Sequence, residues 1–362
     1  MDGAVSEIVD LTGVRVLVTG HTGFKGSWLS YWLHLLGAEV YGFALAPKHE
    51  NDLFLSLNLE NVINHVVGDI RDSQALEKRF ETVRPDLVFH LAAQPLVRQS
   101  YKDPKETFDT NVGGSVNVLE AVRRTTSVRA LVYVTSDKCY KNLEQDQSYV
   151  EGDQLGGADP YSASKAAAEI VFAAYRNSFF SEPNRSGIVS VRAGNVIGGG
   201  DWSDDRIVPD CIRSLIAKKT ITIRNPDATR PWQHVLDPLN GYLTVASRLM
   251  TKVDQVSSSY NFGPSADEVY SVKHLVNEVI SCWGSGDVHV NSSTDNPHEA
   301  GLLQLDSSLA RDELGWASKW DFKTTLKETV RWYREVARGG DPRKICREQI
   351  ELYTSTQVKV GK

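Results

Sequence analysis

The sequence has few cysteines, no metal-binding pattern, no long apolar run and no excess of positive charge, and each absence removes a class of function. The four cysteines of the 362-residue chain, Cys139, Cys211, Cys282 and Cys346, lie far apart and form no Cys-x-x-Cys pair. A disulfide scaffold or a zinc site is therefore not expected. There is no His-Glu-x-x-His and no Cys/His cluster, so no metal is predicted and metal-assisted hydrolysis is disfavoured. There is no Gly-x-Ser-x-Gly elbow either, which disfavours a serine hydrolase. No apolar run reaches the length of about 18 residues that a membrane span needs. The opening segment MDGAVSEIVD is acidic and lacks the basic-then-apolar pattern of a secretion signal. The net charge of −6 repels nucleic acid and anionic membranes. Neither is an expected partner, and the cytoplasm is the expected location. Any phosphate-bearing ligand must be held by local features. Hydrophobic residues at 41% and charged residues at 24% are an ordinary globular balance, which argues against wholesale disorder.

The first half alternates strands and helices. VRVLVTG (14–20) is a short β-branched apolar run ending in glycine, as a buried strand should be. Apolar residues at helical spacing follow from Phe24 to Leu36, and Gly37 supplies a stop. Segments 39–45, 62–67, 86–92 and 129–136 read as further strands, and 73–83, 104–124 and 159–180 as helices. This rhythm predicts an α/β fold with a doubly wound, parallel, Rossmann-type sheet and ligands at the carboxyl ends of its strands. After about residue 195 it weakens. Short strands (221–223, 259–262, 287–290) mix with helices (205–217, 237–250, 271–284, 322–338), as in a smaller α+β C-terminal substrate domain. The predicted division is 1–195 for dinucleotide binding and 196–362 for substrate, with segments near 234–262 returning to the main sheet.

Gly20-His21-Thr22-Gly23-Phe24-Lys25-Gly26 joins the first strand to the first helix with Gly-x-x-Gly-x-x-Gly spacing. Glycines there allow a tight turn and bring backbone N–H groups to a pyrophosphate at a helix N-terminus. In isolation such a spacing is an ordinary turn; between a strand and a helix it has the required context. Asp69 and Ile70 end a later strand, where Asp69 can face an adenine, and Leu91-Ala92-Ala93 ends the next with small residues for a flat cofactor to pass. The second strand ends without the acid expected for the ribose 2′-hydroxyl of NAD, and Lys48 follows instead. These residues alone leave NAD and NADP both open.

Tyr161-Ser162-Ala163-Ser164-Lys165 places Tyr161 and Lys165 four apart on one helix face. A neighbouring ammonium, aided by a positive nicotinamide ring, lowers a phenol's pKa and makes a phenolate base accessible. Such a base takes a hydroxyl proton while hydride leaves the carbon. Tyr-x-x-x-Lys arises by chance on many surface helices; its weight here comes from lying downstream of a nucleotide loop and a strand ending Thr135-Ser136. Ser136 can orient the same hydroxyl. Asp137 and Lys138 then place an acid and a potential base at a strand's carboxyl end, where the bland alternative is a solvated charge pair. His90, in an apolar strand, reads as a satisfied core residue.

These features together resemble the extended short-chain dehydrogenase/reductases that modify nucleotide sugars, from Val14 to about Trp332. The segments GHTGFKGSWLS (20–30), HLAAQPLVRQSY (90–101), TSDKCY (135–140), DPYSASK (159–165), VRAGNVIGGGDW (191–202), RPWQHVLDPL (230–239) and NPHEA (296–300) most resemble the branch that dehydrates CDP-glucose. Where dTDP-glucose enzymes carry Thr-Asp-Glu, this chain carries Ser136-Asp137-Lys138. The resemblance implies NAD as cofactor, with Thr110 added to Gly20, Thr22, Gly23, Phe24, Lys25, Gly26, Asp69, Ile70, Leu91, Ala92, Ala93, Tyr161 and Lys165 in its site. It implies a nucleotide sugar as substrate, contacted by Gln94, Ser136, Asn195, Arg230, Asn261 and His298. It also implies Tyr161 as the base at the 4-hydroxyl, Lys138 as the base at C5 and Asp137 as the acid at the 6-hydroxyl. A homodimer or a dimer of dimers, paired through helices 104–124 and 159–180, completes the expectation. Two rivals remain at this point: an epimerase or reductase of the same superfamily, and a non-catalytic NAD-binding sensor.

Overall fold

The computed structural model describes residues 9–144, 147–182, 185–223, 225–251, 256–265, 267–291 and 303–357. Its centre is a seven-stranded sheet made of β1 (Arg15–Thr19), β2 (Glu39–Ala44), β3 (Asn64–Val67), β4 (Leu87–His90), β5 (Ala130–Val134), β6 (Gly187–Ala193) and β7 (Ser259–Phe262). The strands run in the order β7-β6-β5-β4-β1-β2-β3, and every neighbouring pair is parallel. The order reverses between β1 and β4, where Thr19 stands beside His90. A doubly wound sheet opens its ligand crevice at such a switch point.

Helices cover both faces: α1 (Phe24–Leu35), α2 (Ser73–Val83), α3 (Ser115–Arg124), α4 (Pro160–Phe179), α5 (Ile207–Ile216), α6 (Leu236–Thr251), α7 (Val272–Trp283), α8 (Phe322–Ala337) and α9 (Pro342–Ser355). Side chains alternate along β1. Val16 and Val18 pack with Trp28 and Leu29 of α1 in one core, while Leu17 packs with Leu119 and Val122 of α3 in another. Each such aliphatic side chain, fully removed from water, contributes about 1.5–3 kcal/mol. The first core runs on without a break to Leu275, Leu326 and Trp332, so the two halves of the chain share one interior. Short strand pairs, Thr229–Arg230 with Tyr270–Ser271 and Ile221–Ile223 with Val288–Val290, lie outside the main sheet.

Several elements depart from the sequence reading, three of them with a clear physical reason. Strand β6 was hidden by Ser190 and Arg192, which read as polar; both are buried, and the carboxylate of Glu169 on α4 accepts hydrogen bonds from each. The helix expected over 104–124 is interrupted. Pro104–Phe108 passes through a widened π-helical turn, Asp109–Gly114, before α3 begins. A side chain at Gly114 would meet Ile70 at 2.5 Å, so the backbone there must approach the segment that follows β3 closely. Helix α9 has a polar sequence and was not anticipated, although Asp341 caps it and Pro342 opens it.

Candidate active site

The glycine loop leaves β1 at the switch point. Gly20 has φ +77°, and a Cβ there would lie 2.6 Å from the Ala92 nitrogen. A Cβ on Gly26 would lie 2.1 Å from the Gly20 carbonyl oxygen. Both positions must therefore be glycine for the loop to fold against β4. Gly23 caps α1 and is exposed. Among the described residues no side chain caps this helix and no acid lies in its first turn. Its leading N–H groups are thus presented to an anion without a competing carboxylate, a cradle that fits a dinucleotide pyrophosphate. Around it, the Thr22 hydroxyl donates to the Leu45 carbonyl at 2.9 Å, and Leu91, Ala92 and Ala93 are half-buried at the end of β4. Asp69 is held by Arg71 at 2.8 Å, a hydrogen bond that keeps its carboxyl below the usual carboxylate range. Ile70 is buried, and Thr110 is half-buried in the widened turn.

Local sequence explains the placement of Tyr161 and Lys165. Asp159 caps α4 by accepting from the Ser162 amide at 3.0 Å, and Pro160 occupies the first turn. This starts the helix one residue before Tyr161. Both Tyr161 and Lys165 are buried, and the lysine Nζ lies 6.0 Å from the tyrosine ring centroid. Opposite, two residues past the end of β5, the Ser136 hydroxyl donates to the Asp137 carboxylate at 2.8 Å and accepts from the Lys138 amide at 3.2 Å. Ser136 is also a polar group that draws the Tyr161 phenol's pKa down. Asp137 is buried against Gly194, where a Cβ would come within 3.1 Å of its carboxylate; Lys138 is half-buried. The structure thus brings Ser136, Asp137 and Tyr161 together, with Lys138 on the same turn.

Burial dominates the electrostatics of the protein alone. In the protein alone Tyr161 is pushed up to about 12, mainly by burial and further by Asp137, against the Ser136 hydrogen bond and the positive charge of Arg206. The lowering expected from Lys165 was read with a positive nicotinamide ring beside the phenol; in the protein alone desolvation dominates. Lys165 itself is pushed down to about 8 by burial, opposed by Glu169 and Cys139. Lys25 also falls to about 8 through burial and then Arg206, with Asp137 and Asp201 pulling the other way. His90 is the satisfied core residue expected: its ring bonds Thr19 at 2.7 Å and Ser115 at 3.1 Å.

The remaining substrate candidates are spread out. Asn195 is half-buried past the end of β6, and its carbonyl accepts from the Gln233 amide. Arg230 is half-buried on the strand paired with Tyr270–Ser271, and it donates to the Thr229 carbonyl at 2.8 Å. Two have their side-chain amides engaged by the scaffold in the protein alone. The Gln94 amide braces its own loop, donating to Thr107 at 2.9 Å and to the Leu96 carbonyl at 3.1 Å. Asn261 is fully buried, accepting from Tyr140 at 2.8 Å and donating to the Tyr149 carbonyl at 2.9 Å. Both amides are consumed by the scaffold. His298 and the segment 296–300 lie outside the described residues.

Two residues were missed. Asn111 sits buried in the widened turn, donates to Ser164 at 2.9 Å and accepts from the Gln94 amide at 2.8 Å, tying α4 to the loop after β4. A lone asparagine at an inward helical position was its only sequence signal. Arg206 pairs with Asp201 at 2.8 Å, and its charge reaches both Lys25 and Tyr161. In sequence it is hidden within an acidic run. Among the described residues no group of three or more His, Cys, Asp or Glu is placed to hold a metal, and no helix is long and apolar enough to cross a membrane.

An uncapped helix end beside a buried Tyr–Lys pair is how short-chain dehydrogenase/reductases set a dinucleotide against a hydroxyl, and the chain is of that class. More narrowly, the GDP-mannose 4,6-dehydratase family model matches residues 17–329, and the chain belongs to that family. It is 45% identical over 351 residues to the CDP-glucose 4,6-dehydratase of Salmonella typhimurium, covering 96% of this chain and 98% of the relative. It is 28% identical to human dTDP-D-glucose 4,6-dehydratase, over 89% of this chain and 90% of that one. A Streptomyces venezuelae dTDP-glucose 4,6-dehydratase, crystallised with NAD, superposes with a TM-score of 0.77 at 25% identity, covering 91% of this chain and all of that one. A Thermus thermophilus UDP-glucose 4-epimerase in complex with NAD gives 0.76 at 26%, covering 89% and 99%.

Proposed function

We propose that the chain is an NAD-dependent CDP-glucose 4,6-dehydratase, converting CDP-D-glucose to CDP-4-dehydro-6-deoxy-D-glucose and water. The observation that carries this reading is the Ser136-Asp137-Lys138 turn set against Tyr161, an acid beside the hydroxyl-oxidising group with a lysine on the same turn. The near full-length likeness to a CDP-glucose 4,6-dehydratase supports the choice of nucleotide.

NAD, held at the glycine loop, supplies the hydride acceptor and later the donor. Tyr161 takes the proton of the sugar 4-hydroxyl, which Ser136 orients. The 4-ketone so formed acidifies the C5 proton, and Lys138 removes it. Asp137 protonates the 6-hydroxyl and water departs; hydride returned to C6 and the proton given back by Lys138 to C5 complete the product. Losing a β-hydroxyl needs a base at one carbon and an acid at the next, so two groups share the work. Lys165 keeps a cation beside the phenol. Asn195 and Arg230 are proposed to contact the nucleotide sugar, Arg230 by the bidentate fit of guanidinium to phosphate. Gln94 and Asn261 contribute by holding the walls.

The reading includes a cytoplasmic homodimer or dimer of dimers working in deoxysugar synthesis. Exposed Phe108 and, on α4, Ile170 and Phe179 support pairing through these helices. Light scattering on the purified protein tests the oligomer. Mass spectrometry of products from CDP-, dTDP-, GDP- and UDP-glucose tests the activity. Loss of one water from CDP-glucose is expected. CDP-galactose of unchanged mass would instead indicate an epimerase, and no altered sugar at any pH would end the enzyme reading.

A further inference from the structure

A charged network lies directly behind the cluster just described. Glu169 follows Lys165 by four residues on α4, one turn deeper into the protein. Its side chain is 2% exposed, and Arg192 of β6, 5% exposed, clamps it in a two-pronged ion pair with contacts of 3.0 and 2.7 Å. Thr135 and Ser190 also donate to its two oxygens, the latter at 3.0 Å. Arg192 is fixed in turn by Tyr140 at 2.6 Å and by the Glu151 carbonyl at 3.0 Å. Replacing such a pair with apolar residues commonly costs nothing in stability, so its burial here asks for a reason beyond folding.

We propose that Glu169 is a positioning residue for catalysis, a buried carboxylate clamped by Arg192 that keeps Lys165 protonated beside Tyr161. The groups facing Lys165 make Glu169 the counter-charge. Tyr161 shares its helix and is itself held protonated by burial. Cys139, on the turn after β5, is a buried thiol also pushed up and neutral. His90 of β4 is buried and neutral. Lys25 at the start of α1 is a cation that opposes a second one. Asp137 is engaged by Ser136 and acts on Lys25 and Tyr161. With burial pulling Lys165 down, Glu169 supplies the leading opposing pull. An unprotonated Lys165 would leave Tyr161 without its neighbouring positive charge, and proton removal from the sugar would slow.

The test uses full-length protein and two variants that separate charge from shape. Glu169→Gln keeps the shape and removes the charge; Glu169→Asp keeps the charge and disturbs the packing. The primary readout is the titration of the Lys165 ε-amine, followed by carbon-13 NMR after reductive methylation and assigned with Lys165→Arg. Glu169→Gln is expected to lower that titration by about one to two pH units, the order a single charge gives at one helical turn. The alkaline limb of the turnover profile moves down with it, and Glu169→Asp stays near wild type. If Glu169→Gln does not fold, the double variant Glu169→Gln/Arg192→Gln is expected to shift the Lys165 titration in the same direction by a smaller amount, because losing the Arg192 charge offsets part of the lost attraction. An unmoved Lys165 titration in the charge-removing variant, with both single variants merely less heat-stable, would overturn the proposal. The role assigned to Lys165 rests on the dehydratase reading, but the NMR titration needs no substrate. A chain that turns over no nucleotide sugar would sink that reading while leaving this coupling measurable.

Discussion

Replacing His234 with glutamine gives a stability test worked from the structure. His234 is fully buried on the short strand Gln233–His234, beside Val196–Ile197. Its ring packs 4.6 Å from Trp320 and 6.2 Å from Trp28, the residue that seats α1 and hence the glycine loop. Nδ1 accepts from the Leu236 amide at 3.3 Å, while Nε2 has no partner among the described residues. Burial alone pushes the imidazole from 6.5 down to about 3. The folded state therefore holds a neutral ring over a window in which the unfolded chain binds a proton. The stability this contributes is complete above the unfolded value and is lost as pH falls from there towards 3. Between about pH 7 and about pH 5.5 one such group costs about 1.3 kcal/mol. His234→Gln carries a constant packing penalty, which is uninformative. The diagnostic quantity is the change in the gap between variant and wild type with pH. Urea unfolding followed by tryptophan fluorescence at both pH values should show the wild type losing about 1.3 kcal/mol more than the variant. Parallel losses would refute the claim that this ring is buried neutral.

The other expectations concern the site. Tyr161→Phe should lower turnover by roughly two to four orders of magnitude, with no reduced nicotinamide seen in a single turnover. Lys138→Ala should still oxidise C4 to some extent, so that reduced nicotinamide accumulates while no water is lost; dehydration at the normal rate would refute the base assignment. Gly26→Ala drives a methyl to 2.1 Å from the Gly20 carbonyl oxygen. The loop must open, and NAD affinity should fall about tenfold or more, since overpacking of this kind costs roughly 1–3 kcal/mol. Titration of protein fluorescence with NAD reads it directly.

The fold and the centre of the site were legible because their signals are local. The run Val14–Gly20, a glycine loop and the largely buried helix Phe24–Leu35 follow one another in one stretch of chain. Asp159 and Pro160 announce the helix start that puts Tyr161 and Lys165 on a common face. What stayed hidden depends on partners remote in sequence. Arg192 disguises a fully buried strand because its counter-charge, Glu169, lies on another element. Asn261 looks like a polar ligand until Tyr140 and the Tyr149 carbonyl are seen to consume its amide. Arg206 sits in an acidic run and gains meaning only when folding carries it to Lys25 and Tyr161. The upward pull of burial on Tyr161 in the protein alone was hidden for a related reason. Spacing reveals which charges are neighbours, but not how much water folding removes from around them.

The central claim is that one site oxidises C4, expels the 6-hydroxyl and reduces C6. The most direct measurement is conversion of CDP-glucose carrying deuterium at C4, with the product analysed by NMR and mass spectrometry. The account predicts a product lighter by one water, with a ketone at C4 and the deuterium found at C6 of the same molecule. Deuterium still at C4, whether in unchanged sugar or in its C4 epimer, would contradict it.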